Sequence, residues 1–168
     1  MMKQPWGAIQ VKKVLCAMIS GVGVGMIFWG CNANNPQIQD TRWNIYGNKR
    51  YGFEFPYPHT WQVLGNPDNS DGVVLVSPNQ KNVEIRAYAS KPVLKSLTEN
   101  SQPVPNFRTH QGFAGVLAVD AGEKVTVIKL TISQEKLEYH WQGQSGSKDF
   151  PNYYRLFYHI AQEYKISQ

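Results

Sequence analysis

Cysteine is scarce in this sequence and confined to its start. The chain has two cysteines, Cys16 and Cys31, and no other follows them. Residues 32–168 therefore contain no thiol, which excludes disulfide bonds and thiolate metal sites from that part of the chain. Stability must come from an apolar core, and a segment of this length can build one without covalent cross-links.

Clusters of basic residues are also missing beyond the N-terminus. The formal net charge is +5, but three of the 17 basic residues, Lys3, Lys12 and Lys13, precede residue 31, whereas none of the 12 acidic residues does. The remainder carries only +2, with no Lys/Arg cluster that would follow a phosphate backbone. We therefore expect no binding to nucleic acid.

The histidines show no spacing typical of a strong metal site. Two pairs are weak candidates for Zn²⁺: Glu138 and His140, two apart on a predicted strand, and His159 and Glu163, one helical turn apart. Either pair would need a further ligand from another element. The competing interpretation is that all four are solvated surface residues, and no cofactor is expected.

The sequence also lacks a recognisable catalytic motif. Residues 143–147, Gly-Gln-Ser-Gly-Ser, place a serine among glycines but lack the closing glycine of a nucleophile elbow, so they predict a flexible turn. Asp68 and Asp71 share another predicted turn, where a hard cation could bind, although the spacing is not that of an EF-hand. We expect the protein not to be an enzyme.

The most informative feature present is the N-terminal segment. The three lysines precede an uncharged apolar run over residues 14–30, which ends at Cys31. A positive stretch, an apolar core and a small residue before a cleavage site are typical of a secretory signal. The end of the run, Phe28-Trp29-Gly30-Cys31, resembles the lipobox of bacterial lipoproteins. That resemblance implies a signal peptide over residues 1–30 and acylation, for example with palmitate, of Cys31.

Two alternatives to lipidation remain open. Residues 14–30 number 17, the short limit for a helix that spans a bilayer, so an uncleaved anchor is possible. An ordinary signal that is cut elsewhere is the other alternative. All three interpretations predict an extracytoplasmic location, and acylation of Cys31 predicts attachment to the periplasmic or thylakoid-lumen face of a membrane.

The rest of the chain predicts a flexible tether over residues 31–45 and one domain over residues 46–168. Strands are predicted where apolar residues alternate between turn residues. They cover residues 51–55, 61–64, 72–77, 83–89, 107–111, 115–121, 124–133 and 136–142. The pattern predicts that the strands at residues 72–77 and 83–89 form a hairpin. It also predicts a short helix over residues 92–100.

A second helix is predicted over residues 149–165. Its apolar stripe consists of Phe150, Tyr153, Leu156, Phe157, Ile160 and Tyr164. Pro151 is compatible with the first turn, and Ser147 or Asp149 could cap it. The fold class predicted from these elements is α+β, an antiparallel sheet with a C-terminal helix packed on it.

Residues 51–61, Tyr-Gly-Phe-Glu-Phe-Pro-Tyr-Pro-His-Thr-Trp, resemble the opening of the PsbP family, the extrinsic subunits of photosystem II and their bacterial lipoprotein relatives. The resemblance implies an α/β/α sandwich and a role as an accessory subunit or assembly factor. The residues themselves also predict a structural role, in which Phe53, Phe55 and Trp61 fill the core while Pro56 and Pro58 end a strand.

The functional hypothesis is therefore a membrane-anchored, non-enzymatic accessory protein of a membrane complex. Its predicted partner-binding residues, Tyr154, Arg155, Tyr158 and His159, lie beside or opposite the apolar stripe of the last helix, where aromatic and arginine side chains favour interfaces. The alternative hypothesis is an envelope protein that binds a small ligand or a metal in a cleft between sheet and helix.

Overall fold

A computed structural model describes residues 42–64, 71–92, 104–134 and 136–167, which form two antiparallel sheets and one helix. The strands are β1 (Trp43–Asn48), β2 (Phe53–Pro58), β3 (Gln62–Leu64), β4 (Gly72–Val76), β5 (Glu84–Ser90), β6 (Phe107–Arg108), β7 (Ala114–Ala121), β8 (Val125–Ser133), β9 (Glu138–Gly146) and β10 (Lys165–Ile166). The helix, α1 (Phe150–Gln162), lies between β9 and β10.

The larger sheet has the strand order β3-β4-β5-β9-β8-β7-β6, with antiparallel pairing throughout. Successive side chains of a strand point to opposite faces, so the central strands β4, β5, β8 and β9 present one face to the core. That face carries Val73, Leu75, Ile85, Ala87, Ala89, Ile128, Leu130, Ile132, Tyr139 and Trp141, all buried. The opposite face is partly solvated, which confirms the alternation seen in the sequence of β8 and β9.

The smaller sheet has the order β1-β2-β10, and β10 pairs with only the first two residues of β2. The His59 amide donates to the Arg42 carbonyl at 2.9 Å, whereas the Gly52 carbonyl accepts from the Ser167 amide. The backbone N–H and C=O groups of the odd-numbered residues of β2 therefore point towards β1. Those of the even-numbered residues point towards the side on which β10 lies.

Pro56 lies inside β2 and Pro58 is its last residue, so the predicted end of the strand is confirmed at Pro58, whereas Pro56 does not end it. Both are even-numbered, and their missing N–H groups fall on the side of β2 that β10 no longer covers. Proline is tolerated in a strand at such an edge because no ladder hydrogen bond is lost there. The strand therefore continues through Pro56 and ends at Pro58.

The core joins the two sheets through aromatic side chains of β2. Phe53 and Phe55 are buried and stack on Tyr164, with ring centroids 5.6 and 5.9 Å apart. Trp61 is buried as well, so the structural role predicted for these three residues of the segment 51–61 is confirmed.

The turn before β2 is fixed by hydrogen bonds. The Tyr51 hydroxyl donates to Asp71 at 2.8 Å, and the Tyr139 hydroxyl donates to the Tyr51 carbonyl at 3.1 Å. Gly52 has a φ of 65°, a left-handed conformation that glycine adopts without the strain of a side chain. The Tyr-Gly pair that opens the segment therefore shapes this turn and attaches it to the larger sheet.

Helix α1 begins after Asp149, the N-cap, whose side chain makes no capping hydrogen bond, and has Pro151 in its first turn. Its buried residues are Tyr153, Leu156, Phe157, Ile160 and Ala161. The predicted stripe is thus confirmed, except that Phe150 is half-buried and Tyr164 lies beyond the helix. The helix packs on β9, β8 and β2, between the two sheets.

The predicted fold class, α+β with an antiparallel sheet and a C-terminal helix packed on it, is confirmed by this architecture. The predicted hairpin is confirmed by the pairing of β4 with β5. The helix predicted over residues 92–100 lies outside the described residues beyond Pro92. Within the described ranges α1 is the only helix, so a second helical layer, which the PsbP resemblance implies, stays a prediction.

Two predicted boundaries need correction. Strand β1 starts at Trp43 and pairs with β2 from Trp43 opposite Pro58, so residues 43–45 belong to the sheet rather than to the tether. Strand β9 runs to Gly146, paired with β8 as far as Val125, so residues 143–146 are not a flexible turn. In both places the strand pairs with its neighbour along the chain, β1 with β2 and β9 with β8.

One buried polar group makes the core less stable than it could be. The Tyr164 hydroxyl is buried, and no hydrogen-bond partner for it is found among the described residues. A buried hydroxyl without a partner costs about 1–3 kcal/mol. We expect Tyr164→Phe to keep both ring stacks and to raise the free energy of unfolding by about 1 kcal/mol, measured by urea unfolding at neutral pH.

Tyr164→Phe should also change how the free energy of unfolding depends on pH in the alkaline range. Burial raises the pKa of Tyr164 well above its ordinary value of 10.0. Above that pH the unfolded chain loses the Tyr164 proton while the folded chain retains it, so stability falls as pH rises. The variant should lose less stability than the wild type in this range. A variant that unfolds at lower urea concentration than the wild type at neutral pH would contradict the assignment.

Candidate functional site

The four predicted partner-binding residues all lie on α1 and flank its buried stripe. Tyr154 is 39% exposed, and Arg155 is exposed as well. Tyr158 and His159 are half-buried. The structure therefore places two of these side chains in solvent and two at the borders of the helix, where each packs against a different neighbouring element.

One border of α1 is a row of aromatic rings. Phe150, Tyr154 and Tyr158 are spaced four residues apart, with successive centroids 6.0 and 5.8 Å apart. Tyr158 makes an edge contact with Phe107 of β6 at 5.6 Å. Aromatic pairs at such distances stabilise each other, so the row holds its shape before any partner binds.

The other border of α1 forms a groove against the smaller sheet. His159 packs on the Trp43 ring with centroids 5.1 Å apart. Together with Ile45, Pro56 and neighbouring groups they line a groove of about 200 Å³. Ile45 is 59% exposed, an unusual position for a large aliphatic side chain on a strand.

One ion pair and one hydrogen-bonded pair of side chains lie at the rim of this groove. Lys165 lies 3.4 Å from Glu54, and His110 Nδ1 lies 2.8 Å from Glu163. Exposed pairs of this kind contribute little stability and can exchange partners. Small-molecule pockets usually measure about 300–1,000 Å³, so a groove of this size fits one side chain of a protein partner better than a metabolite.

Sequence reasoning missed most of this groove. Trp43 and Ile45 were assigned to the tether, and His110 was left without a role. The alternation of Trp43 and Ile45 with polar neighbours was the available signal, but it covers too few residues to predict a strand. Trp43 and His159 lie near opposite ends of the domain's sequence, so no local pattern could predict the contact between them.

The candidate metal pairs differ in their geometry. His140 Nε2 lies 3.7 Å from Glu138 and 3.3 Å from the Ser90 hydroxyl, so the structure brings the first pair together. Burial lowers the pKa of His140 below its ordinary value of 6.5, and the nearby Glu138 carboxylate partly opposes this shift. At neutral pH the imidazole is therefore uncharged.

The second candidate pair has separate partners, since Glu163 contacts His110 and His159 packs on Trp43. Throughout the described ranges, no group of three or more His, Cys, Asp or Glu side chains could hold a metal ion. A zinc site at either pair would need further ligands from water or from another molecule.

The serine of the glycine-rich segment is not a nucleophile candidate in the fold. Ser145 is fully buried on β9, and its hydroxyl donates to the Gly146 carbonyl at 3.3 Å. Asp71 was proposed as half of a cation site. Its carboxylate instead accepts hydrogen bonds from the Arg50 guanidinium and the Tyr51 hydroxyl, both at 2.8 Å. Asp68, its predicted companion, lies outside the described residues.

The cleft that the alternative hypothesis requires is filled. Between α1 and the larger sheet, Leu156, Phe157 and Ile160 are fully buried and pack on the sheet face. Gly143 lies under the Phe157 ring so closely that a Cβ atom there would be 2.5 Å from it. No ligand fits between these surfaces without unpacking the core.

The predicted signal peptide and Cys31 lie outside the described residues. Among the residues that are described, no helix is both long and apolar enough to cross a bilayer.

No protein-family model matches the chain, and no curated protein matches it. Several solved structures match the chain. CyanoP, the cyanobacterial PsbP of Synechocystis sp. PCC 6803, is 14% identical with a TM-score of 0.47, over 78% of this chain and 96% of CyanoP. The Ran-binding protein Mog1p of Saccharomyces cerevisiae is 12% identical with a TM-score of 0.49, over 75% of this chain and 96% of Mog1p.

A protein of Bacteroides thetaiotaomicron VPI-5482 is 12% identical with a TM-score of 0.47; the match covers 76% of this chain and 49% of that one, so it spans about half of that protein. At these identities the similarities concern the fold alone.

Proposed function

We propose that this chain is a non-enzymatic accessory protein that is held at a membrane through an acylated Cys31 and contacts a membrane protein complex through the outer side of α1. The single observation that carries the partner role is the surface around Tyr154 and Arg155. There the exposed ring of Tyr154 belongs to the row of rings, and the exposed Arg155 follows it on the outer side of the helix.

The composition of this surface supports contact with protein. Tyr, Trp and Arg are the residues most enriched where a few side chains dominate binding energy. All three types occur here, as Tyr154, Arg155 and Trp43. Rings that already pack on one another lose little conformational freedom when a partner covers them, which reduces the entropic cost of association.

Attachment to the membrane would strengthen such contact. A single acyl chain holds a protein only marginally, whereas two or more hold it stably. A chain tethered in this way shares a surface with its partner and meets it at a high effective concentration. The resemblance of residues 51–61 to the PsbP family supports a complex of the photosystem II type as the specific partner.

The membrane role is tested with Cys31→Ser in the native host. We expect the wild-type chain to fractionate with membranes and to carry the mass of a cleaved, acylated form. The variant should lose the acyl mass and appear either in the soluble fraction or as an uncleaved precursor. Unchanged mass and fractionation of the variant would refute the lipid anchor.

The partner role is tested separately by affinity capture from gently solubilised membranes. Replacing Tyr154 and Arg155 together by Ala should reduce recovery of a specific membrane protein by about tenfold or more, the expected effect of losing dominant interface residues. Val119→Ala on β7 is the matched control, because Val119 is 50% exposed and distant in sequence from α1. Equal recovery with both variants would refute the assigned surface.

A further inference from the structure

A second site lies on the face of the larger sheet that points away from α1. Tyr88 is 44% exposed there, whereas its neighbours on β5, Ala87 and Ala89, are buried on the core face. The residue opposite Tyr88 on β4 is Gly72, which has no side chain. A Cβ atom at Gly72 would lie 2.7 Å from the Cβ of Tyr88, so only glycine leaves this side of the tyrosine uncovered.

The tyrosine is held in place by its neighbour on the other side. His140 lies opposite it on β9 and stacks on the ring, with centroids 4.7 Å apart and an angle of 25° between the planes. The Ser90 hydroxyl lies 3.3 Å from the imidazole, and Glu138 lies 3.7 Å from it. The sheet therefore presents an oriented aromatic ring that needs no rearrangement to bind a ligand.

The space beside this ring is large enough for a small ligand. It measures about 500 Å³, within the range of about 300–1,000 Å³ that is usual for small-molecule sites. Its polar lining consists of Arg86, Gln142, Ser90 and Asp71. These groups supply both hydrogen-bond donors and acceptors around one exposed ring.

The charges of the lining are already balanced. The Arg86 guanidinium lies 2.6 Å from Glu84, and Asp71 lies 2.8 Å from the Arg50 guanidinium. The space therefore has no strong preference for an anion or for a cation. A ligand that fits it is neutral, has one apolar face, and has several groups that both donate and accept hydrogen bonds.

We propose that this groove, which we call the Tyr88 groove, binds a saccharide ring. The apolar C–H face of a pyranose would lie on the negative face of the Tyr88 ring. Its hydroxyl groups would pair with Gln142, Ser90 and the outer nitrogens of Arg86. A flat aromatic ligand could stack equally well, but it has no ring of hydroxyl groups to pair with these polar side chains.

This proposal goes beyond the accessory role and does not depend on it, since the Tyr88 groove and the surface of α1 lie on different sides of the sheet. It also differs from the alternative hypothesis drawn from the sequence, which placed a ligand between sheet and helix.

The test uses the full chain, purified in a zwitterionic detergent that carries no sugar. Cellobiose, maltose, lactose and chitobiose are offered at millimolar concentration, and saturation-transfer NMR reports contact between sugar and protein. We expect at least one disaccharide to bind saturably. Tyr88→Ala should weaken that binding by about tenfold or more, whereas Tyr88→Phe should keep it, because the ring rather than the hydroxyl makes the contact.

Gln142→Ala gives a second variant that leaves the ring in place, and it should weaken binding severalfold. Val119→Ala on β7 is the control and should bind like the wild type, because Val119 is 50% exposed and does not line the groove. The proposal is overturned if none of the four sugars binds, if Tyr88→Ala and Gln142→Ala both bind like the wild type, or if indole binds at Tyr88 and the sugars do not.

Discussion

Phe157→Ala is expected to lower the free energy of unfolding by about 3–5 kcal/mol, the usual cost of removing a buried phenyl ring. Phe157 is fully buried at the centre of α1. Its ring stacks on Tyr153 at 5.9 Å and makes an edge contact with Trp141 of β9 at 6.3 Å. Since small domains are stable by only about 5–15 kcal/mol, this one change removes a large part of the total.

The measurement is equilibrium urea unfolding of the wild type and the variant. Tyr154→Ala is the matched control, because it removes an aromatic ring from the same helix at an exposed position. Tyr154→Ala should lower the free energy of unfolding by less than about 1 kcal/mol, as surface substitutions usually do. Equal midpoints for the wild type and Phe157→Ala would show that α1 is not packed on the sheet in this way.

Gly143→Ala should be nearly as damaging, although it adds a single methyl group. The new Cβ atom would lie 2.5 Å from Cδ1 of Phe157, and the ring has no free space into which it could move. Overpacking of this kind costs about 1–3 kcal/mol, occasionally more. The control is Gly47→Ala in β1, where no atom lies within 4 Å of the added carbon.

The cause can be isolated by a double-mutant cycle. Gly143→Ala combined with Phe157→Leu removes part of the ring that the new methyl group would meet. If the clash is the cause, the double variant should be more stable than the sum of the single effects predicts, by about 0.5–3 kcal/mol. Additive effects would show that Gly143→Ala acts through the backbone of β9 and not through Phe157.

The elements with long regular patterns were predictable from sequence. The alternation of Ile128, Leu130 and Ile132 predicts β8, and the helical spacing of Leu156, Phe157 and Ile160 predicts α1, because each pattern follows from the geometry of one element. Gly143 was misassigned to a turn because glycine usually marks one. Its presence in β9 is explained by Phe157, a contact between elements that no local pattern reveals.

The candidate sites were less predictable for the same reason. Tyr154 and Arg155 could be proposed from helix periodicity alone. The groove at Trp43 depends on a contact between β1 and α1, and the pairing of Tyr88 with Gly72 depends on the register of the β4–β5 hairpin, which the strand pattern alone does not fix. Sequence analysis can therefore assign residues to a face of an element, but not name the residue opposite them.

The two prolines of β2 have a consequence for the chain if it is held on a membrane surface as we propose. Unpaired strand edges invite identical chains to add to one another, and confinement to two dimensions would make such encounters frequent. Beyond Glu54, where β10 begins with Lys165, Pro56 and Pro58 offer an incoming strand no amide hydrogens. This margin of the smaller sheet, next to the groove at α1, therefore resists pairing with an identical strand.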